Sequence, residues 1–344
     1  MPDMRQCSLL EDYRKLGIGI VLITLALTAV SALAAETNVV NPPLNPVDYT
    51  KRTYCYKQVG DCKIHADVYR LGEEKSRPAI VWIHGGALIS GNRANLHPAQ
   101  LDKYLSAGFN VISIDYRLAP ETKLKFIIED LRDAFKWVRQ RGPELAGIDP
   151  DRIAVVGHSA GGYLALMTGV CVKPCSKAIV SFYGYGDIAG EWYSRPDPFY
   201  CQQPAVMKDE AYAVVGNGII SETNSRERFR FYLYCRQNGL WPKEIAGHDP
   251  DKRPKAFNPF CPVRNVTKKY PPTLLLHGDK DTDVPYEQSV LMAKMLTRHQ
   301  VEHQLITMTN RGHGFDGGRR VAEDPVIAET FDQVVAFLKK HTSQ

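Results

Sequence analysis

Short, mostly apolar runs recur along the chain at residues 79–83, 110–114, 152–156, 177–182, 273–276 and 304–308. Runs of this length, rich in Ile and Val and without polar alternation, fit strands buried on both faces of a parallel sheet. Between them the period changes. Residues 98–106 read as a helix, and Phe126, Ile127, Leu131, Ala134, Phe135 and Val138 recur at helical spacing, so 125–141 is expected to be an amphipathic helix covering one face. Residues 162–167 begin another helix, and 326–340 close the chain as a last one. Residues 53–59 and 63–70 predict an entry hairpin, in which Ile64, Ala66 and Val68 alternate with polar neighbours. Strands alternating with helices predict an α/β fold with a mostly parallel, doubly wound sheet.

One stretch breaks the alternation. Residues 187–264 carry Trp192, Tyr193, Phe199, Tyr200, Phe231, Tyr232, Tyr234 and Trp241, many prolines and little strand pattern. A long excursion on a rigid scaffold is a place for specificity, and the alternative is an aromatic cluster that packs on itself.

Composition is ordinary for a globular protein, with 44% hydrophobic and 24% charged residues. A net charge of +5 over 344 residues, with no basic run interleaved with aromatics, argues against nucleic acid as a partner. At the N-terminus, Arg14 and Lys15 precede an uncharged stretch, 16–35, that ends in Ala32-Leu33-Ala34. This pattern predicts a signal peptide over 1–34 cleaved after Ala34, a linker over 35–52 and an exported, periplasmic or secreted domain over 53–344. The alternative is an uncleaved membrane anchor. No cysteine closes the apolar run, which argues against a lipid anchor. With the leader removed, about 310 residues remain, enough for one large domain.

Eight cysteines suit an oxidising compartment. Cys55 and Cys62 flank a Gly60-Asp61 turn and are expected to face each other as a disulfide. The spacings hold no zinc pattern, and neither a metal nor a cofactor is expected.

Chemistry concentrates where apolar runs end. Gly157-His158-Ser159-Ala160-Gly161 stands between the run 152–156 and the helix-like 162–167. A serine on such a strand-to-helix turn is a candidate nucleophile, and the flanking glycines relieve its crowding. His277-Gly278-Asp279-Lys280-Asp281-Thr282-Asp283-Val284-Pro285 follows a later run, and Gly312-His313-Gly314 follows the last. His84-Gly85-Gly86-Ala87 follows the first.

In these motifs and in the chain order Ser, Asp, His, the protein resembles the α/β-hydrolase superfamily from about Tyr54 to the C-terminus. The run Asp115-Tyr116-Arg117-Leu118-Ala119-Pro120-Glu121 is similar to one in esterases related to hormone-sensitive lipase. His158 departs from that group, where an acidic residue is common, and brings the chain nearer to acetyl- and feruloyl-type esterases. The resemblance implies Ser159 as nucleophile, His313 as base and Asp281 as the acid, with Asp279 and Asp283 shaping the loop. It implies an oxyanion hole built from the N–H groups of Gly86, Ala87 and Ala160, with Ala87 standing where esterases often have a third glycine. It further implies a cap over 187–264, and Asp115 and Arg117 bracing the oxyanion loop. His277, His299 and His303 are read as packing or surface residues, and His158 as pointing away beneath the sheet. The expected activity is hydrolysis of short acyl or aromatic esters, small or polymer-linked, through an acyl-serine. The alternative is an amide or peptide hydrolase of the prolyl-oligopeptidase or formamidase type.

Overall fold

The computed structural model describes residues 47–73, 76–318 and 320–343. The expected signal peptide and most of the expected linker lie outside these residues. Eight strands, β1 (Tyr49–Val59), β2 (Cys62–Leu71), β3 (Arg77–Ile83), β4 (Asn110–Ile114), β5 (Ile148–His158), β6 (Ile179–Phe182), β7 (Thr273–Gly278) and β8 (His303–Met308), form one sheet. Their order is β1-β2-β4-β3-β5-β6-β7-β8. The β1–β2 and β2–β4 pairs are antiparallel, and β4 through β8 run parallel. The first strand begins at Tyr49, four residues before the expected domain boundary, where it pairs with Leu71 at the end of β2, and Lys51 reaches Asp67 across the hairpin at 2.8 Å.

Ten helices are described: α1 (Pro98–Ser106), α2 (Leu124–Ala146), α3 (Ala160–Cys171), α4 (Glu191–Ser194), α5 (Lys208–Tyr212), α6 (Ser225–Asn238), α7 (Trp241–Ala246), α8 (Glu287–Arg298), α9 (Arg320–Glu323) and α10 (Pro325–Thr342). Alternate residues of the parallel strands feed two cores. Val81, Ile83, Ile112, Val155 and Leu275 pack with α2, α3 and α8, whereas Ile80, Trp82, Val111, Val156 and Leu276 pack with α1 and α10. The helix α2 runs past the expected 125–141, through Pro143, until Gly147 turns into the left-handed region at φ 61°. Phe126, expected on its buried face, is exposed.

The hairpin corrects the expected disulfide. A two-residue turn at Gly60-Asp61 sets Val59 opposite Cys62, and Cys55 falls opposite His65. The two thiols therefore do not face each other, and both are unpaired. Among the described residues no helix is long and apolar enough to cross a membrane.

Chain order reverses beside β3, whose crossover to β4 goes one way across the sheet and whose other neighbour is β5. Such a switch point leaves an open crevice at the carboxyl ends of the strands. His84 to Ala87 leave β3 there and Ser159 leaves β5 there.

Candidate active site

Ser159 sits between β5 and α3 at φ 56°, ψ −120°, a strained conformation that turns its side chain out of the sheet. Close packing explains the flanking glycines. A Cβ on Gly157 would lie 2.0 Å from the Gly161 carbonyl oxygen, and one on Gly161 would lie 2.1 Å from that of Ile83. The Ser159 N–H donates to the Phe182 carbonyl at 2.9 Å, which ties the turn to β6.

The three residues expected to work together are brought together. His313 Nε2 lies 3.0 Å from Ser159 Oγ, and its Nδ1 lies 2.7 Å from Asp281 Oδ2. Asp281 Oδ1 accepts from the N–H groups of Asp283 at 2.8 Å and Val284 at 2.9 Å. Burial pushes the Asp281 carboxyl up, but the bonds from His277 and His313 outweigh it and hold the group well below the usual carboxylate range. Burial pulls His313 down, yet the charge of Asp283 and the bond and charge of Asp281 leave it raised above its ordinary value. The imidazole is thus aligned with a serine on one nitrogen and a fixed carboxylate on the other.

The loop after β3 carries Gly86 and Ala87, expected from the sequence as backbone donors. Gly86 has φ 106° and Ala87 φ 53°, and a Cβ on Gly86 would lie 2.2 Å from the Ser90 carbonyl oxygen, so this turn needs glycine. The Gly86 carbonyl is turned back into the loop, accepting from Ile89 N–H at 2.9 Å and Ser90 N–H at 3.0 Å. Ala160 is the first residue of α3, where an N–H has no intrahelical acceptor. Gly86 and Ala87 line the same cavity as Ser159.

The bracing differs from expectation. Tyr116, between the two charged residues, carries it, donating to the His84 carbonyl at 3.0 Å and stacking on the His84 ring with centroids 4.2 Å apart. Asp115 instead pairs with Arg93 at 2.5 Å, and Arg117 grips Asp130 of α2 with bonds of 2.7 and 2.8 Å. Burial sets these partners: Asp115 and Asp130 are fully enclosed, and each carboxylate needs the nearest guanidinium.

The excursion 187–264 is helical and fastens both loops. Trp241 Nε1 donates to the Ala87 carbonyl at 3.1 Å, and Thr223 bridges Gly91. On the acid side Asp283 Oδ1 accepts from Tyr200 at 2.8 Å, Tyr232 at 2.5 Å and Arg236 at 2.8 Å. Arg236 is buried against the rings of Tyr193 and Tyr200, 4.8 and 4.7 Å from their centroids, and also pairs with Asp197. Most of the aromatics therefore pack among themselves around this arginine. Ser225, Arg228, Phe229 and Tyr232 of α6 form one wall of a cavity of about 430 Å³ that holds Ser159 and His313.

Residues 66–296 match the BD-FAE family, a group of esterase-like α/β hydrolases. The chain belongs to that family. Esterase LipC of Mycobacterium tuberculosis is 29% identical over 280 residues, which cover 78% of this chain and 62% of that protein. A non-reducing polyketide synthase of Preussia isomera is 30% identical over 303 residues, covering 78% of this chain and 14% of the synthase. The chain thus spans less than two thirds of either relative. An α/β hydrolase superfamily protein from Enterococcus faecalis superposes with a TM-score of 0.66 at 20% identity, over 85% of this chain and all of that one (100%). A thermophilic esterase from Thermogutta terrifontis, with propionate bound, does so with a TM-score of 0.60 at 22% identity, over 87% and 96% of the two chains. These likenesses carry the α/β-hydrolase fold.

Four features of this BD-FAE chain escaped the sequence reading. His277 is no mere packing residue, since its Nε2 lies 3.2 Å from Asp281 Oδ2 and 3.0 Å from the Val284 carbonyl. Both neighbours are acceptors, so Nε2 carries a proton, and Nδ1 lies 2.7 Å from Ser289 Oγ. His158 does not point away: it lines the cavity, stacks on Phe182 at 4.3 Å and brings Nε2 to 2.9 Å from Asp316. Asp283 does more than shape its loop, because Oδ2 lies 3.5 Å from His313 Nε2. Behind His313, Tyr183 holds its ring edge-on at 4.6 Å while donating to Asp316 at 2.6 Å. The sequence signal for these residues was placement: each lies within a few positions of a strand end or of His313.

Proposed function

We propose that this chain is a serine hydrolase that cleaves carboxylic esters of short acyl or aromatic acids. The observation that supports it most is the line from Asp281 through His313 to Ser159, in a cavity that Gly86 and Ala87 also line, in a chain of an esterase-like family. His313 Nε2 takes the Ser159 proton as Oγ attacks the ester carbonyl carbon, and Asp281 stabilises the imidazolium. The N–H groups of Gly86, Ala87 and Ala160 face the oxyanion. Collapse breaks the bond to the alcohol oxygen, which receives the proton from Nε2 and leaves an acyl-Ser159. Water, deprotonated by His313, attacks that acyl group, and collapse returns the proton to Ser159 as the acid departs. Residues 187–264 act as a cap whose α6 selects the substrate.

A panel of para-nitrophenyl acetate, butyrate, octanoate and ferulate tests this reading. Turnover is expected with the short acyl and aromatic members; no turnover of any ester and no fluorophosphonate labelling would end it.

Because His313 must be neutral to accept the proton, kcat/KM should rise with pH through its raised pKa. Asp283 is the charge that raises it most, so Asp283→Asn should move this acid limb to lower pH. A pH profile of kcat/KM that left the limb in place would refute that coupling. For the N-terminus we propose export with cleavage after Ala34. Expression in a secreting host should then yield a mature chain beginning at Ala35 by intact mass, and recovery only with the leader attached would favour an anchor.

A further inference from the structure

The helix α6 buries two arginines, and they are treated differently. Arg236 has both terminal nitrogens bonded, Nη1 to Asp283 and the Tyr232 hydroxyl and Nη2 to Asp197, among surrounding rings. Arg228, two turns earlier and 4% exposed, donates through Nη2 to Glu121 Oε1 at 2.6 Å, while its Nη1 is buried without a hydrogen-bond acceptor. Buried donors are nearly always satisfied, and an orphan asks for an explanation. Its position offers one: Arg228 stands on the α6 stripe with Ser225, Phe229 and Tyr232, which helical spacing sets on one face, along the wall of the Ser159 cavity.

The charge of Arg228 is already answered. The Glu121 side chain is 1% exposed, and its Oε1 also accepts from the Gly216 N–H at 2.9 Å. A second carboxylate on Nη1 would stand close to that of Glu121 in a poorly hydrated place, where like charges repel strongly. An uncharged acceptor oxygen meets no such repulsion and completes the guanidinium. We infer that Arg228 Nη1 is a substrate-recognition donor for an uncharged carbonyl oxygen remote from the scissile ester, so that the preferred substrates carry a second carbonyl group rather than a plain hydrocarbon chain or a carboxylate.

This inference rests on the esterase reading for the identity of the scissile bond, so binding is measured apart from turnover. In the Ser159→Ala protein, calorimetry compares para-nitrophenyl levulinate with para-nitrophenyl pentanoate, which lacks its keto oxygen, and 2-oxopropyl acetate with propyl acetate. The keto partner of at least one pair is expected to bind about tenfold tighter, the scale of one well-placed hydrogen bond. That ratio should fall to about one when Arg228→Lys is added, which keeps a cation for Glu121 and removes the second arm of the fork. If the lysine variant fails to fold, the double replacement Arg228→Met with Glu121→Gln removes both buried charges and should show the same loss. Equal binding within both pairs, or a ratio that survives these replacements, overturns the inference. So does tighter binding of para-nitrophenyl hemiglutarate than of the levulinate, which would mean a charged acceptor. Failure of the wild-type protein to hydrolyse any ester would instead count against the esterase reading alone.

Discussion

Replacing Ser159 by Ala is expected to lower kcat on para-nitrophenyl acetate by about 10⁴- to 10⁶-fold and to abolish fluorophosphonate labelling. The size of the loss follows from the role of Oγ, which is the atom that becomes acylated and for which no neighbouring group substitutes. His158 flanks it but is engaged with Asp316 and the Phe182 ring. The fold should be unaffected, because the strained turn is set by the backbone: the Ser159 N–H bond to Phe182 and the tight contacts at Gly157 and Gly161 do not involve the hydroxyl. Thermal unfolding within a few degrees of wild type, together with retained activity, would show that the nucleophile lies elsewhere.

The second large effect is expected at Asp281. Its Oδ2 accepts from both His313 Nδ1 at 2.7 Å and His277 Nε2, while Oδ1 is held by two backbone N–H groups. An asparagine there presents an NH₂ or a weaker acceptor to His313 and no longer stabilises the imidazolium, so Asp281→Asn should cost about 10⁴-fold in kcat. Asp283→Asn makes the informative contrast. Asp283 lies 3.5 Å from the other ring nitrogen, too far for a strong bond, and retains Arg236, Tyr200 and Tyr232 as partners. Its replacement should shift the pH profile and leave the maximal rate within about tenfold, a difference of about 1.4 kcal/mol. The reverse order of effects, with Asp283→Asn silencing the enzyme and Asp281→Asn sparing it, would move the acid to Asp283.

Much of this site was legible because it is written locally. Ser159, Asp281 and His313 each lie in a loop that immediately follows an apolar run, with glycine beside the nucleophile and the histidine, and the sheet then gathers those loops along one edge. The helix α1 and the strand β4 have the bounds that their periodicity predicts. What failed was partner choice. Cys55 and Cys62 flank the same turn, yet pairing across the hairpin is dictated by the turn residues, and it set them against His65 and Val59 instead. Arg117 was read as a brace for the oxyanion loop, but Asp130, on α2, offered the buried carboxylate.

The sequence by itself therefore determined the order of strands and helices, the turn that exposes Ser159 and the loops that present Asp281 and His313, because hydrophobic period and glycine placement act over a few neighbouring residues. Only the tertiary structure decided what surrounds them. Tyr183 on Asp316, Trp241 on the Ala87 carbonyl, and the pairing of the two buried arginines of α6, Arg236 with Asp283 and Arg228 with Glu121, are contacts between segments far apart in the chain. A buried charge must find its partner in space, and no local pattern of apolar and polar positions records which one it finds.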